Sequence, residues 1–457
     1  MLCGVFFAPH PPILLPAIGK GEEKKASLTL SGFSELNRLA AEWSPDAVVC
    51  LTPHGPMFED SLCIMDFEPY TGGLQDFGFQ SDLSWPLNIP LHDQVGPAFH
   101  DAGIPFVHLD PPKARRYRQQ PLLDHGAAVP LTLIPALRHK PLLCLTPGFV
   151  PRRTLYRAGA VLAGLLEKSP QRILVLASGD LAHSHPGGVY PAAPEGPEFD
   201  RQLEEAFRSG NRSALLDMPE DFIRKAAQCA VNPFAVALGV LDGKDAPFQV
   251  YSREAPYGVG YMTASALPGA GSVPSLLYSR EKSGDPYVSL ARAAVRSWVL
   301  NQAAPDLGRL DLSPDEMDAL TRRRAGAFVS LHLDGALRGC IGTIQATQPS
   351  LSKEIIYCAR QSCSADPRFD PVQAGELDAL EIKVDILGDP EPVAGPEHLD
   401  ARRYGVIVQK GAQRGLLLPD LEGVDTVEEQ LDIARRKAGI PPEADVDLFR
   451  FEVERHG

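Results

Sequence analysis

The chain has 457 residues and a formal charge of −14, with 44% hydrophobic and 22% charged residues, the proportions of a globular protein that buries sizeable cores. At roughly 100–200 residues per domain it holds two or three domains. It has no Lys/Arg-rich run for nucleic acid or an anionic membrane surface, and no apolar stretch near the ~20 residues of a membrane span, so neither partner is expected.

The first residues, Met1-Leu2-Cys3-Gly4-Val5-Phe6-Phe7, lack the basic start of a secretory signal. The eight cysteines are scattered without a CxxC pair, which suits reduced thiols and a cytoplasmic location better than a disulfide framework or a CxxC zinc site. In chain order, apolar runs predict strands at Cys3–Ala8, Ala47–Thr52, Phe106–Leu109, Pro141–Leu145 and Arg172–Ala177. Helical patterns fall at Ser31–Trp43, Leu155–Lys168, Phe199–Arg208 and Pro233–Leu241. Strands alternating with helices imply an α/β domain with a mostly parallel central sheet flanked by helices, over residues 1–265.

A Gly/Pro/Ser-rich stretch at 266–284 reads as a linker. Beyond it, residues 285–457 open with a helix at Val288–Gln302. Strands follow at Gly326–Leu333, Leu380–Leu387, Val406–Gln409 and Gly415–Leu418, then a helix at Val427–Lys437, a smaller α+β domain.

Three histidines of the first domain follow strand candidates in stiff Pro- or Gly-framed loops: Ala8-Pro9-His10-Pro11-Pro12, Thr52-Pro53-His54-Gly55-Pro56 and Ser178-Gly179-Asp180-Leu181-Ala182-His183. Ligands of open α/β sheets bind beyond the carboxyl ends of strands, so these imidazoles are candidates for one site. His125, in Leu123-Asp124-His125-Gly126, is a fourth. A single such histidine is more often an ordinary surface or core residue, and His92, His100, His108 and His139 are read that way.

Together these four segments resemble the catalytic subunits of class III extradiol dioxygenases and the related Memo family, over residues 3–265. The resemblance implies His10 and His54 as metal ligands, His183 as acid/base, and His125 as a histidine near the substrate. Asp180 is expected to orient the His183 loop. The third-ligand place reads Gln228-Cys229-Ala230-Val231-Asn232-Pro233, so Cys229 stands where the ring-cleaving enzymes carry Glu or His and Memo proteins carry Cys. Glu254 is the alternative third ligand. The implied cofactor is Fe(II), with copper or zinc if the thiolate ligates. The implied reactants are a small catechol-like aromatic and O2, and the alternative is a Memo-like metal protein without dioxygenase activity, or a binding scaffold.

The second domain resembles the AMMECR-type family through Leu337-Arg338-Gly339-Cys340-Ile341-Gly342, Asp366-Pro367-Arg368-Phe369 and Gly415-Leu416-Leu417-Leu418-Pro419. Gly339 and Gly342 suggest a tight backbone path around a small anion pocket of Arg338, Cys340 and Arg368. The competing reading is a structural turn whose cysteine is packed and whose arginines pair with Asp. The sequence leaves the oligomeric state open.

Overall fold

A computed structural model describes residues 1–79, 83–188, 190–277, 285–310, 312–421 and 423–457. The chain forms two compact units, Met1–Ser279 and Arg280–Gly457.

Among the described residues the first unit has ten strands: β1 (Leu2–Ala8), β2 (Ala47–Leu51), β3 (Leu62–Met65), β4 (Tyr70–Thr71), β5 (Ser84–Trp85), β6 (Phe106–Leu109), β7 (Leu142–Thr146), β8 (Ile173–Ser178), β9 (Phe248–Glu254) and β10 (Tyr261–Ala266). Eight form one sheet in the order β6-β3-β7-β2-β8-β1-β10-β9, and β4 pairs with β5. The middle of the sheet, β7-β2-β8-β1, is parallel throughout. Its strands are buried along most of their length because helices cover both faces, which is why they read as unbroken apolar runs. Both flanks turn antiparallel: β3 runs against β7, and β10 and β9 form a hairpin against β1. That hairpin was not legible, because β9 mixes Ser252, Arg253 and Glu254 into a half-exposed edge.

Helices Arg152–Lys168 and Val231–Val240 pack closely, with Gly159 against the Val236 carbonyl and Gly239 against the Tyr156 carbonyl, where any Cβ would collide. Helix Ile89–Asp101 escaped the pattern because Pro97 lies inside it. Its first turn is capped by Asn88, which accepts from the Leu91 N–H. Of the stretch read as a linker, Ala266 is the last residue of β10, and the Asp245 and Val273 amides bond Gly271 and Gly243 across the following segment. Residues 278–284 of that stretch lie outside the described residues.

Among the described residues the second unit has two four-stranded antiparallel sheets. One contains β11 (Ala327–Leu333), β12 (Ala336–Gly342), β13 (Leu380–Leu387) and β18 (Val453–His456). The other contains β14 (Glu391–Val393), β15 (Gly405–Lys410), β16 (Gln413–Leu417) and β17 (Asp447–Phe451). Helices Pro286–Asn301 and Leu351–Ser364 share the core of the first sheet, and helix Val427–Ala438 packs on the second.

The hexapeptide Leu337–Gly342 is not a tight turn but most of β12, paired with β11 on either side of a register shift that passes over Arg338. Its glycines serve close packing. Gly339 lies under the Ser362 carbonyl of helix Leu351–Ser364, and Gly342 under the Phe328 ring.

Candidate metal centre

Sheet order assembles the site. Strands β2, β8 and β1 are parallel neighbours, so their carboxyl ends share one sheet edge, and His54, His183 and His10 leave from it. His10 is buried, and two contacts fix it. Its N–H donates to Asp180 Oδ1 at 2.8 Å, and its Nδ1 lies 2.8 Å from Ser178 Oγ. Ser178 spends its own proton on the Gly126 carbonyl at 2.5 Å, so His10 Nδ1 must be the donor. His10 Nε2 is thereby left with its lone pair, 3.6 Å from Cys229 Sγ.

His125 is the first residue of helix His125–Leu133, whose N-cap Asp124 accepts from the Ala127 N–H and from Thr52 Oγ1 at 2.6 Å. That bond ties the helix start to the His54 loop. The rings of His54 and His125 stack at 4.6 Å and 18°, with the His10 ring edge-on to both at 4.8 and 5.4 Å. One ligand nitrogen from each of His10, His54 and His125 lies within 4.8 Å of the others.

Burial is the main reason that all these rings favour the neutral form. His10 is held well below the ordinary histidine value by burial and then by neighbouring histidines, and His54 is lowered by burial. His125 and His183 are each brought down to about 4, by burial first and by His54 second. Neutral imidazole is the ligand form, and convergent lone pairs suit a divalent transition ion.

Cys229 lies just before helix Val231–Val240, held by its amide to the Asp180 carbonyl and by the Asp180 N–H to its Sγ at 3.2 Å. Its sulfur stands 3.6 Å from His10 Nε2 and 3.9 Å from His183 Nε2. Burial, then the Asp180 carboxylate, pushes the thiol well above its usual range in the absence of a cation. Asp180 is itself pushed up to about 7 by burial, partly offset by the His10 N–H. A half-buried thiol and a buried carboxyl beside neutral imidazoles fit a bound cation, whose charge would favour both anionic forms. A cavity of about 720 Å³ opens onto His54 and Cys229, walled by Met57, Phe149, Ile223 and Arg224.

The expected residues are not all placed as expected. Asp180 contacts His10 and Cys229, whereas the His183 loop is pinned by buried Asp200, which accepts from the Ala182 N–H at 2.9 Å and lies 2.8 Å from His185 Nε2. Glu254 is not with the histidines. Its carboxylate accepts from the Thr29 amide and hydroxyl at 2.6 and 2.7 Å, in the first turn of helix Ser27–Trp43. Ser178, Thr52 and Asp124, which orient the ligating candidates, were missed. Their only signal was adjacency to the histidine motifs.

In the second unit, Arg338 forks onto buried Glu376 at 2.7 and 3.1 Å and also donates to the Asp370 carbonyl. Arg368 pairs with Asp366 through Nε and Nη2 and reaches the Cys340 carbonyl, while the Cys340 N–H donates to Asp366 Oδ2 at 2.9 Å. Cys340 Sγ faces Ser330 Oγ at 3.3 Å. Both guanidinium forks are thus bound to carboxylates of this same unit, Arg338 to Glu376 and Arg368 to Asp366.

The family model described as the catalytic LigB subunit of aromatic ring-opening dioxygenase matches residues 4–263, and the AMMECR1 model matches residues 288–456. A Clostridium acetobutylicum protein is 34% identical over 469 residues, covering 100% of this chain and 99% of its own length. A Thermotoga maritima protein is 52% identical over 175 residues, 37% of this chain and 97% of its own length. A solved Pyrococcus horikoshii structure shares 33% identity over 37% of this chain and 88% of its own, with a TM-score of 0.33. The chain belongs to the family of catalytic LigB subunits of aromatic ring-opening dioxygenases, with an AMMECR1 domain following in the same polypeptide.

Proposed function

We propose that the first unit is an Fe(II)-dependent extradiol dioxygenase acting on a catechol-like aromatic with O2. The observation that carries this reading is the meeting of His10, His54 and His125 within 4.8 Å, beside Cys229 and an open cavity. His10 and His54 are the shared ligands. Cys229 is the third donor by its 3.6 Å approach to His10 Nε2. A second assignment, His125 as third donor, is favoured by the three-imidazole cluster itself.

The ion, when bound, supplies Lewis acidity toward two adjacent ring oxygens and electrons toward O2. The chain's own residues do the rest. His183, neutral at pH 7, accepts the second hydroxyl proton and returns one as the ring opens. When it is not a ligand, His125 donates a hydrogen bond to developing oxyanion charge. The apolar wall of Met57, Phe149 and Ile223 takes the ring face. Both atoms of O2 enter the product, a ring-opened semialdehyde acid.

The test is metal analysis of anaerobically purified protein, followed by O2 uptake with a panel of catechols under added Fe(II). Stoichiometric iron with O2 consumed and a yellow product supports the reading. Copper or zinc as the native metal, with no O2 uptake on any catechol, overturns it in favour of a Memo-like metal protein.

A further inference from the structure

Asp66, His92 and His108 meet on other elements of the first unit. Asp66 follows β3, His92 lies in helix Ile89–Asp101, and His108 is on β6, an edge strand of the sheet. One ligand atom from each lies within 4.8 Å of the others. His92 is 8% exposed, and its Nε2 is buried without a hydrogen-bond partner among the described residues, as is His108 Nε2.

The orientation of His92 is specific. Its Nδ1 lies 3.1 Å from Asp93 Oδ1, an acceptor, so Nδ1 carries the proton there and Nε2 presents a lone pair. That lone pair faces Asp66 Oδ1 at 3.7 Å, too long for a hydrogen bond. A carboxylate holding the far nitrogen of an imidazole is the usual support of a metal-binding histidine. The His108 ring sits 4.7 Å from the His92 ring. Gly96, one turn beyond His92, makes room for it: a Cβ there would stand 3.0 Å from His108 Nε2.

We propose that Asp66, His92 and His108 form a second metal site, taking a divalent ion of the zinc class, that clamps helix Ile89–Asp101 to β3 and β6. Two imidazoles and one carboxylate are the donors of a borderline ion. The side chain of Asp66 is 37% exposed, so water completes the coordination. The site is structural, and it is independent of the reading of the histidine cluster at β1, β2 and β8.

The experiment uses the full chain carrying His10→Ala and His54→Ala, stripped with chelator and titrated with Co(II), whose visible absorption reports coordination. One equivalent is expected. Adding Asp66→Asn or His108→Gln should abolish it, and Asp93→Asn should weaken it about 10–100-fold. Zn(II) should raise the melting temperature of the parent variant and not of those carrying Asp66→Asn or His108→Gln. Where His108→Gln fails to fold, Asp66→Asn and Asp93→Asn decide, since their side chains reach solvent. No Co(II) in the parent variant, or binding unchanged by Asp66→Asn and His108→Gln, overturns the proposal. If the parent variant binds two equivalents, the β1–β2–β8 site is misassigned, and loss of one equivalent in Asp66→Asn still supports this one.

Discussion

Ser178 Oγ lies 2.8 Å from His10 Nδ1 while giving its own proton to Gly126, and this relation fixes which nitrogen of His10 faces the site. Ser178→Ala should therefore loosen the ring and its tautomer together. Loss of a supporting partner of this kind typically lowers metal affinity about 10–100-fold. Competition titration against a chelator measures it. Affinity equal to wild type would show that burial alone orients His10.

The third donor is decided by two substitutions read side by side. If Cys229 ligates, Cys229→Ser should weaken copper or zinc far more than iron, because only the soft ions gain most from a thiolate. If His125 completes the set, His125→Gln should lose metal of every kind and Cys229→Ser should lose little. Retention of one equivalent by both variants would leave a two-histidine site completed by water or substrate.

His183→Ala should keep the metal and lose turnover. A positioned acid/base contributes typically about 10²–10⁴-fold, so the rate should fall by that factor with metal content unchanged. His183→Gln should behave alike, as it keeps a hydrogen bond but moves no proton. Metal loss in His183→Ala would make this residue a ligand, which its 3.9 Å distance from Cys229 Sγ renders a real outcome.

Asp366 links stability to pH in the second unit. The Arg368 fork, then the Cys340 and Arg368 amides, hold its carboxyl well below the usual range despite burial. A depressed carboxyl contributes stability that is present above the unfolded value of about 4 and is lost as pH falls through the lower folded value. Asp366→Ala should cost about 1–3 kcal/mol at neutral pH, because it strands the Cys340 and Arg368 amides. Chemical denaturation should show the gap between wild type and variant narrowing only below about pH 4. A gap independent of pH would mean that packing, not charge, is lost.

Much of the site was legible because its chemistry is local. His10, His54 and His183 each follow an apolar run within a few residues, and Pro or Gly marks each loop. The partner of Glu254 was hidden because sequence shows a carboxylate but not what binds it, and Thr29 lies 225 positions away. The partner of Arg338 was hidden for the same reason, since Glu376 comes from a segment beyond helix Leu351–Ser364. His92 and His108 looked ordinary because neither sits in a stiff strand-end loop, and Pro97 hid the helix that carries His92.

The sequence by itself determined the families, the alternation of strands and helices, and the histidines at strand ends, because apolar periodicity and loop residues are written along the chain. Tertiary structure alone decided the order β2-β8-β1, which turns three separate strand ends into neighbours. It also decided which nitrogen of His10 is free, where Cys229 stands, and that Asp66, His92 and His108 meet at all. Each of these depends on pairings between distant segments, and hydrogen-bond geometry across them exists only once the sheet has closed.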